Sequence, residues 1–334
     1  MARKRPSKLD EFGLIARFFR PLAAKEKGAF ALTDDAAVLD LPRDRRLVVT
    51  TDCLVEGVHF LAGAAPEEIA PKLLRANLSD LAAMGAEPRW YLLAAGFARR
   101  TDAAWIERFA RALHREQRKF GITLAGGDTV AVPGPASFTV TALGIVEKGA
   151  ELRRSGARIG DDVYVSGTVG DAALGLRILK GELRMTARHA RFLVARHYRP
   201  TPRIALGRRL AGVARSVIDI SDGLVADLGH ICESSGVGAV IETAAIPLSP
   251  AARAAIGSHP KLLTDVLAGG DDYELIFIAP KTRRSRVGAL ARDLGLSLTR
   301  IGRIRSAGIR GERVRVLRAD GEHYRLPRTG WRHF

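Results

Sequence analysis

Apolar runs of strand length alternate along the chain with longer stretches in which apolar residues recur at helical spacing, the pattern of an α/β or α+β protein. Residues 46–51 (RLVVTT) read as a β-branched strand that stops at Asp52. Pro66 opens a helix with Glu67 and Glu68 in its first turn, where the helix dipole favours negative charge. Leu73, Leu74, Leu78 and Leu81 form the buried arc of that helix, and Gly85 and Pro88 end it. Residues 90–95 read as a strand. Thr101 or Asp102 then caps a helix running to about Gly121, with Trp105, Phe109 and Ala112 opposite Arg108, Arg111, Arg115, Arg118 and Lys119. A short strand over 122–125 leads into Gly126-Gly127-Asp128.

Beyond the Pro133-Gly134-Pro135 loop, residues 137–146 form a further strand, and 148–162 are charged, glycine-bearing and aperiodic. That stretch divides the chain into an N-terminal α/β domain over 10–148 and a C-terminal α/β domain over 149–334, after a basic, disordered tail at 1–9. A length of 334 residues suits two domains. In the second half, strands are expected at 163–166, at 217–220 before Ser221-Asp222-Gly223 and a helix, and at 273–279 after Gly269-Gly270-Asp271-Asp272. Asp320-Gly321 signals a hairpin turn.

Composition narrows the function classes. No apolar stretch is long enough to span a bilayer, so no membrane role is expected. Two cysteines, Cys53 and Cys232, imply no disulfide framework and suit a reducing cytoplasm. The charge is unusual: 53 basic against 36 acidic residues give +17, which attracts phosphorylated small molecules, anionic lipids or nucleic acids. Much of the excess is arginine on helix faces, where a solvated surface is the plain account. A nucleic-acid-binding protein is the rival of a different class and predicts a steep salt dependence. No recognised nucleic-acid motif supports it, and none of that class of partner is expected.

The chemistry is carried by a recurring pattern in which a strand gives way to small or hydroxylated residues and then an aspartate. It occurs at Thr50-Thr51-Asp52, Gly126-Gly127-Asp128, Asp219-Ile220-Ser221-Asp222 and Gly270-Asp271-Asp272, and more weakly at Thr33-Asp34-Asp35. Strand ends in α/β proteins face ligand crevices. A single such aspartate is more often a helix cap or turn former; repetition in one chain shifts that balance. Asp80 falls with Asn77 at the edge of the leucine arc, and is either a boundary residue with a local hydrogen bond or a carboxylate aimed into a crevice beside Asp52. If these carboxylates converge, two of them about 4 Å apart repel by roughly 4 kcal/mol at an effective dielectric near 20, so cations must compensate. Hard oxygen donors select Mg²⁺, which takes one or two carboxylates plus water and phosphate oxygens. Several Mg²⁺ ions bridging a polyphosphate fit that pattern. Zinc spacings, the P-loop, the dinucleotide fingerprint and the protein-kinase catalytic loop are all missing. Arg153 and Arg154, before Ser155-Gly156, are either a phosphate clamp or a solvated pair.

Taken together, TTDCLVEGVHF (50–60), NLSDLAAMGAEP (77–88), LAGGDTV (124–130), RSGARIGDDVYVSG (154–167), IDISDGLVADLGHI (218–231), GGDDYEL (269–275) and TGWRHF (329–334) resemble the thiamine-monophosphate kinases, of the aminoimidazole-ribotide synthetase-like superfamily. The likeness runs from about Asp10 to the C-terminus. It implies a two-domain homodimer that associates through the N-terminal sheet, and direct transfer of the ATP γ-phosphoryl group to thiamine monophosphate with Mg²⁺ ions. Carried over by motif, Asp34, Thr50, Thr51, Asp52, Asp80, Asp128, Asp219 and Asp222 would ligate Mg²⁺, with Asp80, Asp128 and Asp222 the most critical for turnover. Gly127, Asp128, Arg154 and Ser221 would contact ATP; His59, Asp271 and Trp331 would meet thiamine monophosphate. His59 also reads as an ordinary loop histidine, and Trp331 as a terminal anchor. Thr33, Asp271 and Arg332 stand where the family usually has Gly, Glu and an acidic residue. Among superfamily relatives, a selenophosphate synthetase needs a reactive Cys near its N-terminus, and the hydrogenase-maturation relative ends in a modified Cys. This chain has neither.

Overall fold

The computed structural model describes residues 11–34, 36–308 and 313–331. The segment 1–9, Asp35 and Arg332, on which expectations were placed above, lie outside these. By its internal contacts the chain forms two compact units: the chain up to Asn77 with Pro88–Ile145, and Leu78–Glu87 with the chain from Val146 onward. The fold is the expected mixture of helix and sheet.

The first unit is built on a four-stranded sheet in the order β1-β4-β2-β3, with β1 Arg45–Val55, β2 Glu87–Ala98, β3 Thr123–Val132 and β4 Ser137–Glu147. β2 and β3 run parallel and are joined by the helix Ala103–Phe120. Asp102 caps that helix by accepting from the Trp105 N–H, and Gly121 closes it at φ 68°. Phe109 and Ala112 are buried while Arg108, Arg111, Arg115, Arg118 and Lys119 are exposed, so the arginine stripe is a solvated face. Alternation puts Tyr91, Leu93, Ala95 and Phe97 on one face of β2. There Phe97, Phe109 and Phe138 form a ring cluster, with centroids 5.5 Å apart for Phe97–Phe138 and 4.9 Å for Phe109–Phe138. The helix Pro66–Ala83 is buried on nearly every side, so Asn77, expected at the edge of an apolar arc, is fully enclosed.

Two strands depart from expectation. β1 does not stop at Asp52 but continues to Val55, and β3 passes through Gly126-Gly127-Asp128 instead of ending at Ala125. β3 accommodates the glycines with an irregularity opposite Tyr91/Leu92, after which Leu93 pairs with Gly127 and Ala94 with Asp128. A side chain at Gly127 would stand 2.0 Å from the Leu93 carbonyl oxygen, so only glycine lets the strand lie this close.

The second unit has a six-stranded sheet in the order β10-β7-β9-β5-β8-β6, formed by β5 Asp162–Ser166, β6 Ser216–Asp219, β7 Gly238–Glu242, β8 Leu275–Ala279, β9 Leu298–Arg305 and β10 Val314–Leu317. Its pairings are antiparallel except β10 with β7. β5 and β8 are buried along their whole length, which requires cover on both faces. One apolar cluster joins Val163, Ile218, Ile276 and Ile278 to Leu174, Leu193, Leu228 and Ala252 of the surrounding helices. A second joins Tyr164, Val217 and Phe277 to Leu206, Leu210, Val287 and Leu290. β8 begins at Leu275, two residues later than Tyr273, because Asp271 and Tyr273 hold left-handed backbone at φ 70° and 51°. The Asp320-Gly321 turn is observed, with Leu317 bridging His323 and the Arg318 N–H donating to the Glu322 carbonyl.

Candidate active site

In the first unit, strand alternation decides which of the candidate ligands share a face. The Thr51 hydroxyl lies 3.2 Å from that of Thr141, and Thr141 lies on the face of β4 opposite Phe138. Asp128 pairs with Ala94, which points away from the buried Phe97 face. Thr51 and Asp128 therefore look out from the same open face, whereas Thr50 and Asp52 turn to the other. β1 and β3 are also the two edges of the sheet, three strand spacings or about 14 Å apart along it.

Asp128 has nearer company. A cavity of about 480 Å³ in this unit is lined by Asp34, Leu92, Gly126, Gly127, Asp128 and Leu143, with apolar walls from Phe19, Leu32 and Leu39. Asp34 and Asp128 are both exposed, and Asp128 Oδ1 accepts from the Thr129 N–H at 2.8 Å. Thr33, at φ −113°, holds a backbone conformation open to any residue, so glycine is not required there.

His59 sits in the turn that follows β1. Its Nδ1 accepts from the Val55 N–H at 3.1 Å, and its carbonyl accepts from Lys72 Nζ at 2.9 Å. With Nδ1 accepting, the neutral ring carries its proton on Nε2.

In the second unit the predicted residues gather more tightly. β6 ends at Asp219, and Ser221-Asp222-Gly223 turns the chain into the helix Leu224–Ser235. The loop Gly269–Tyr273 lies against this turn: the Asp271 N–H donates to the Ser221 carbonyl at 2.9 Å and the Tyr273 N–H to the Ile220 carbonyl at 2.8 Å. A side chain at Gly270 would meet the Ser221 carbonyl oxygen at 2.0 Å. The Trp331 N–H donates to the Asp222 carbonyl at 3.0 Å, and the Trp331 ring is half exposed. Ser221, Asp222, Asp271 and Trp331 are thus one assembly. Arg154 is exposed, and its neighbour Arg153 accepts through its carbonyl from the Val217 N–H of β6 at 2.9 Å. Asp80, partly buried, lies in the last turn of Pro66–Ala83, where its carbonyl accepts from the Met84 N–H.

Sequence reasoning missed the residues beneath this assembly. Asp227 Oδ2 accepts from the backbone N–H groups of Ser221, Asp222 and Gly223, at 3.0–3.1 Å, so the helix start is already capped from within. Burial pushes the Asp227 carboxyl up to about 7, against the pull of those three donors and with Asp222 adding to the rise. Asp222, Asp227 and His230 bring ligand atoms within 4.8 Å of one another. Glu274 is fully buried and receives Arg203 through two nitrogens, Arg196 Nη2 at 2.9 Å and the Ser166 hydroxyl at 2.6 Å. Asp272, also buried, accepts from the Gly170 and Ala172 N–H groups. Burial, with Asp171 beside it, pushes its carboxyl up to about 8. The signal available in the sequence was the acidic alternation of GGDDYEL; nothing in it says which acids face inward.

The two mixed α/β units, each with its own sheet, match the two domains of the AIR synthase related proteins. The chain belongs to that family: its N-terminal domain description matches residues 33–146 and its C-terminal domain description residues 158–313. Within it, the chain groups with the thiamine-monophosphate kinases. It is 42% identical to the thiamine-monophosphate kinase of Escherichia coli (strain K12) over 326 residues, covering 97% of this chain and 98% of that one. Against the Caulobacter vibrioides enzyme of the same name the identity is 40% over 326 residues, covering 97% and 90%. The crystal structure of thiamine-monophosphate kinase from Stenotrophomonas maltophilia K279a superposes with a TM-score of 0.83 at 42% identity, covering 95% of this chain and 98% of that one. AaThiL complexed with AMPPCP and TMP superposes with a TM-score of 0.77 at 34% identity over the full length of both chains.

Proposed function

We propose that this chain is a kinase that transfers the γ-phosphoryl group of ATP to thiamine monophosphate, giving ADP and thiamine diphosphate. The observation that carries the reading is the assembly of Ser221, Asp222, Asp271 and Trp331 in one place, in a chain that matches thiamine-monophosphate kinases from end to end. Trp331 offers an aromatic face for the cationic thiazolium ring, and Asp271 offers a partly exposed carboxylate. His59, of the first unit, is assigned to the same substrate by the family resemblance alone. The glycine-lined cavity of the first unit, with Gly127 and Asp128 on its wall, suits ATP; Arg154 and Ser221 of the second unit are assigned to the nucleotide by the family resemblance alone.

The donor set tests whether Mg²⁺ fits. Asp34, Thr50, Thr51, Asp52, Asp80, Asp128, Asp219 and Asp222 offer oxygen only, without thiolate or imidazole, as a hard cation requires. These residues would hold several ions, and bound Mg²⁺ would neutralise charge on the phosphates. The chain's own task is then to position two anions in line. An oxygen of the thiamine monophosphate phosphate forms the new bond to the γ-phosphorus while the bond to the β,γ-bridging oxygen breaks, and ADP leaves with that electron pair. The attacking oxygen is already anionic, so no strong general base is needed.

A homodimer formed through the first unit's sheet belongs to the same reading. Leu47, Val49, Leu92 and Val130 are exposed along one sheet face and would be covered by a second copy. A reducing cytoplasm suits the two free thiols, and no helix among the described residues is long and apolar enough to cross a membrane. Incubation of the purified protein with ATP, Mg²⁺ and thiamine monophosphate should yield a product heavier by one phosphoryl group in the mass spectrum. Recovery of unchanged thiamine monophosphate would refute the reaction.

A further inference from the structure

We propose that Tyr273 is a positioning residue for the acceptor: its phenol holds the Asp271 carboxylate in the orientation that receives thiamine monophosphate. The proposal rests on the kinase reading above and deepens it.

Asp271 and Tyr273 both hold left-handed backbone, at φ 70° and 51°. Non-glycine residues keep such conformations only where their surroundings over-determine them, and here the surroundings do so from two sides. On one side, the N–H groups of Asp271 and Tyr273 are tied to the carbonyls of Ser221 and Ile220. On the other, Asp272 is fixed by the Gly170 and Ala172 N–H groups, and Glu274 by Arg196, Arg203 and Ser166. Arg196 Nη2 also reaches the Asp272 carbonyl at 3.5 Å. Residues 272 and 274 are thus anchored through their own side-chain partners, and the side chains of 271 and 273 are left to meet each other.

The consequence is a contact that an ordinary extended loop would not make. Tyr273 Oη donates to Asp271 Oδ1 at 3.2 Å, while His197 Nδ1 stands 3.7 Å from Oδ2. Tyr273 and His197 are buried, whereas the Asp271 side chain stays 30% exposed. Of the three acids in the loop, only Asp271 can therefore meet a substrate, and its carboxylate is already pinned from behind. Pinning lowers the rotamer freedom lost on binding, so it favours the acceptor and not the nucleotide.

Steady-state kinetics of Tyr273→Phe, Asp271→Asn and the double variant test this. With one neutral or charge-assisted hydrogen bond removed, KM for thiamine monophosphate should rise roughly three- to tenfold in Y273F, and KM for ATP by less than about twofold. In the Asp271→Asn background, Y273F should add no further loss, because the phenol acts through that carboxylate. Arg196→Lys, which loosens the inward anchoring without touching the phenol, should shift the same KM in the same direction. An unchanged KM for thiamine monophosphate, an equal rise in both KM values, or an undiminished Y273F effect in the Asp271→Asn background would each overturn the proposal. A wild-type protein with no thiamine monophosphate turnover would instead overturn the kinase reading beneath it.

Discussion

Carboxylates in this molecule range from exposed, such as Asp34 and Asp128, to fully buried, such as Asp272 and Glu274. Asp34 and Asp128 are exposed at one cavity, where the proposed function makes them ligands for cations. Asp128→Asn and Asp80→Asn should lower turnover by on the order of 10²-fold or more while the protein stays folded; full activity in both would remove the metal assignment. Asp171, Asp227, Asp272 and Glu274 are buried and hold backbone or arginine in place. Removing Glu274 leaves Arg196 and Arg203 without their shared carboxylate, which should destabilise the second unit by about 3–5 kcal/mol in urea denaturation of Glu274→Ala. The pH dependence of stability follows from Asp272. Its native carboxyl, near 8, lies above an unfolded value of about 4, so between these limits the folded chain holds a proton that the unfolded chain releases. Raising pH through that window therefore removes stability. The melting temperature should fall between about pH 6 and pH 8.5, and fall less in Asp272→Asn; equal slopes would contradict the raised native value. The sequence showed acids in clusters and could not sort these two classes, because spacing does not report which side chains face inward.

At the scale of elements, the helices were legible because their stop signals are local. Asp102 and Gly121 bound the arginine-rich helix as their chemistry requires, and its polar stripe faces solvent. Strand ends were less so. Asp52 and Gly126-Gly127 read as breaks, yet both lie inside strands. Glycine is a poor strand former on average, but the partner strand's Leu93 carbonyl leaves no room for a side chain at Gly127. That requirement comes from the neighbouring strand and is invisible in a local window. Gly127→Ala should destabilise the first unit by about 1–3 kcal/mol and raise KM for ATP. Unchanged stability and unchanged ATP affinity would show that β3 can shift to accept the methyl group. In the second unit the backbone brings Ser221, Asp222 and Asp271 into one place. In the first unit Asp52 and Asp128 stand on β1 and β3, the two edge strands of the sheet.

For the molecule as a whole, the open face of the first sheet and the excess of basic charge are the remaining surface features. Val49, 55% exposed on the edge strand β1, should be covered in a homodimer. Val49→Lys should then shift light-scattering mass toward the monomer, and a wild-type monomer would remove the dimer from the account. The +17 charge has a plain place in an enzyme whose two substrates are both phosphorylated anions. What binds the parts together is the claim that this chain moves a phosphoryl group from ATP to thiamine monophosphate. The most direct measurement is ADP release by the purified protein with ATP and Mg²⁺, compared across thiamine monophosphate, free thiamine and no acceptor. The account predicts turnover with thiamine monophosphate alone, abolished by chelation of the metal. Equal ADP release with all three, or none with thiamine monophosphate, would contradict it.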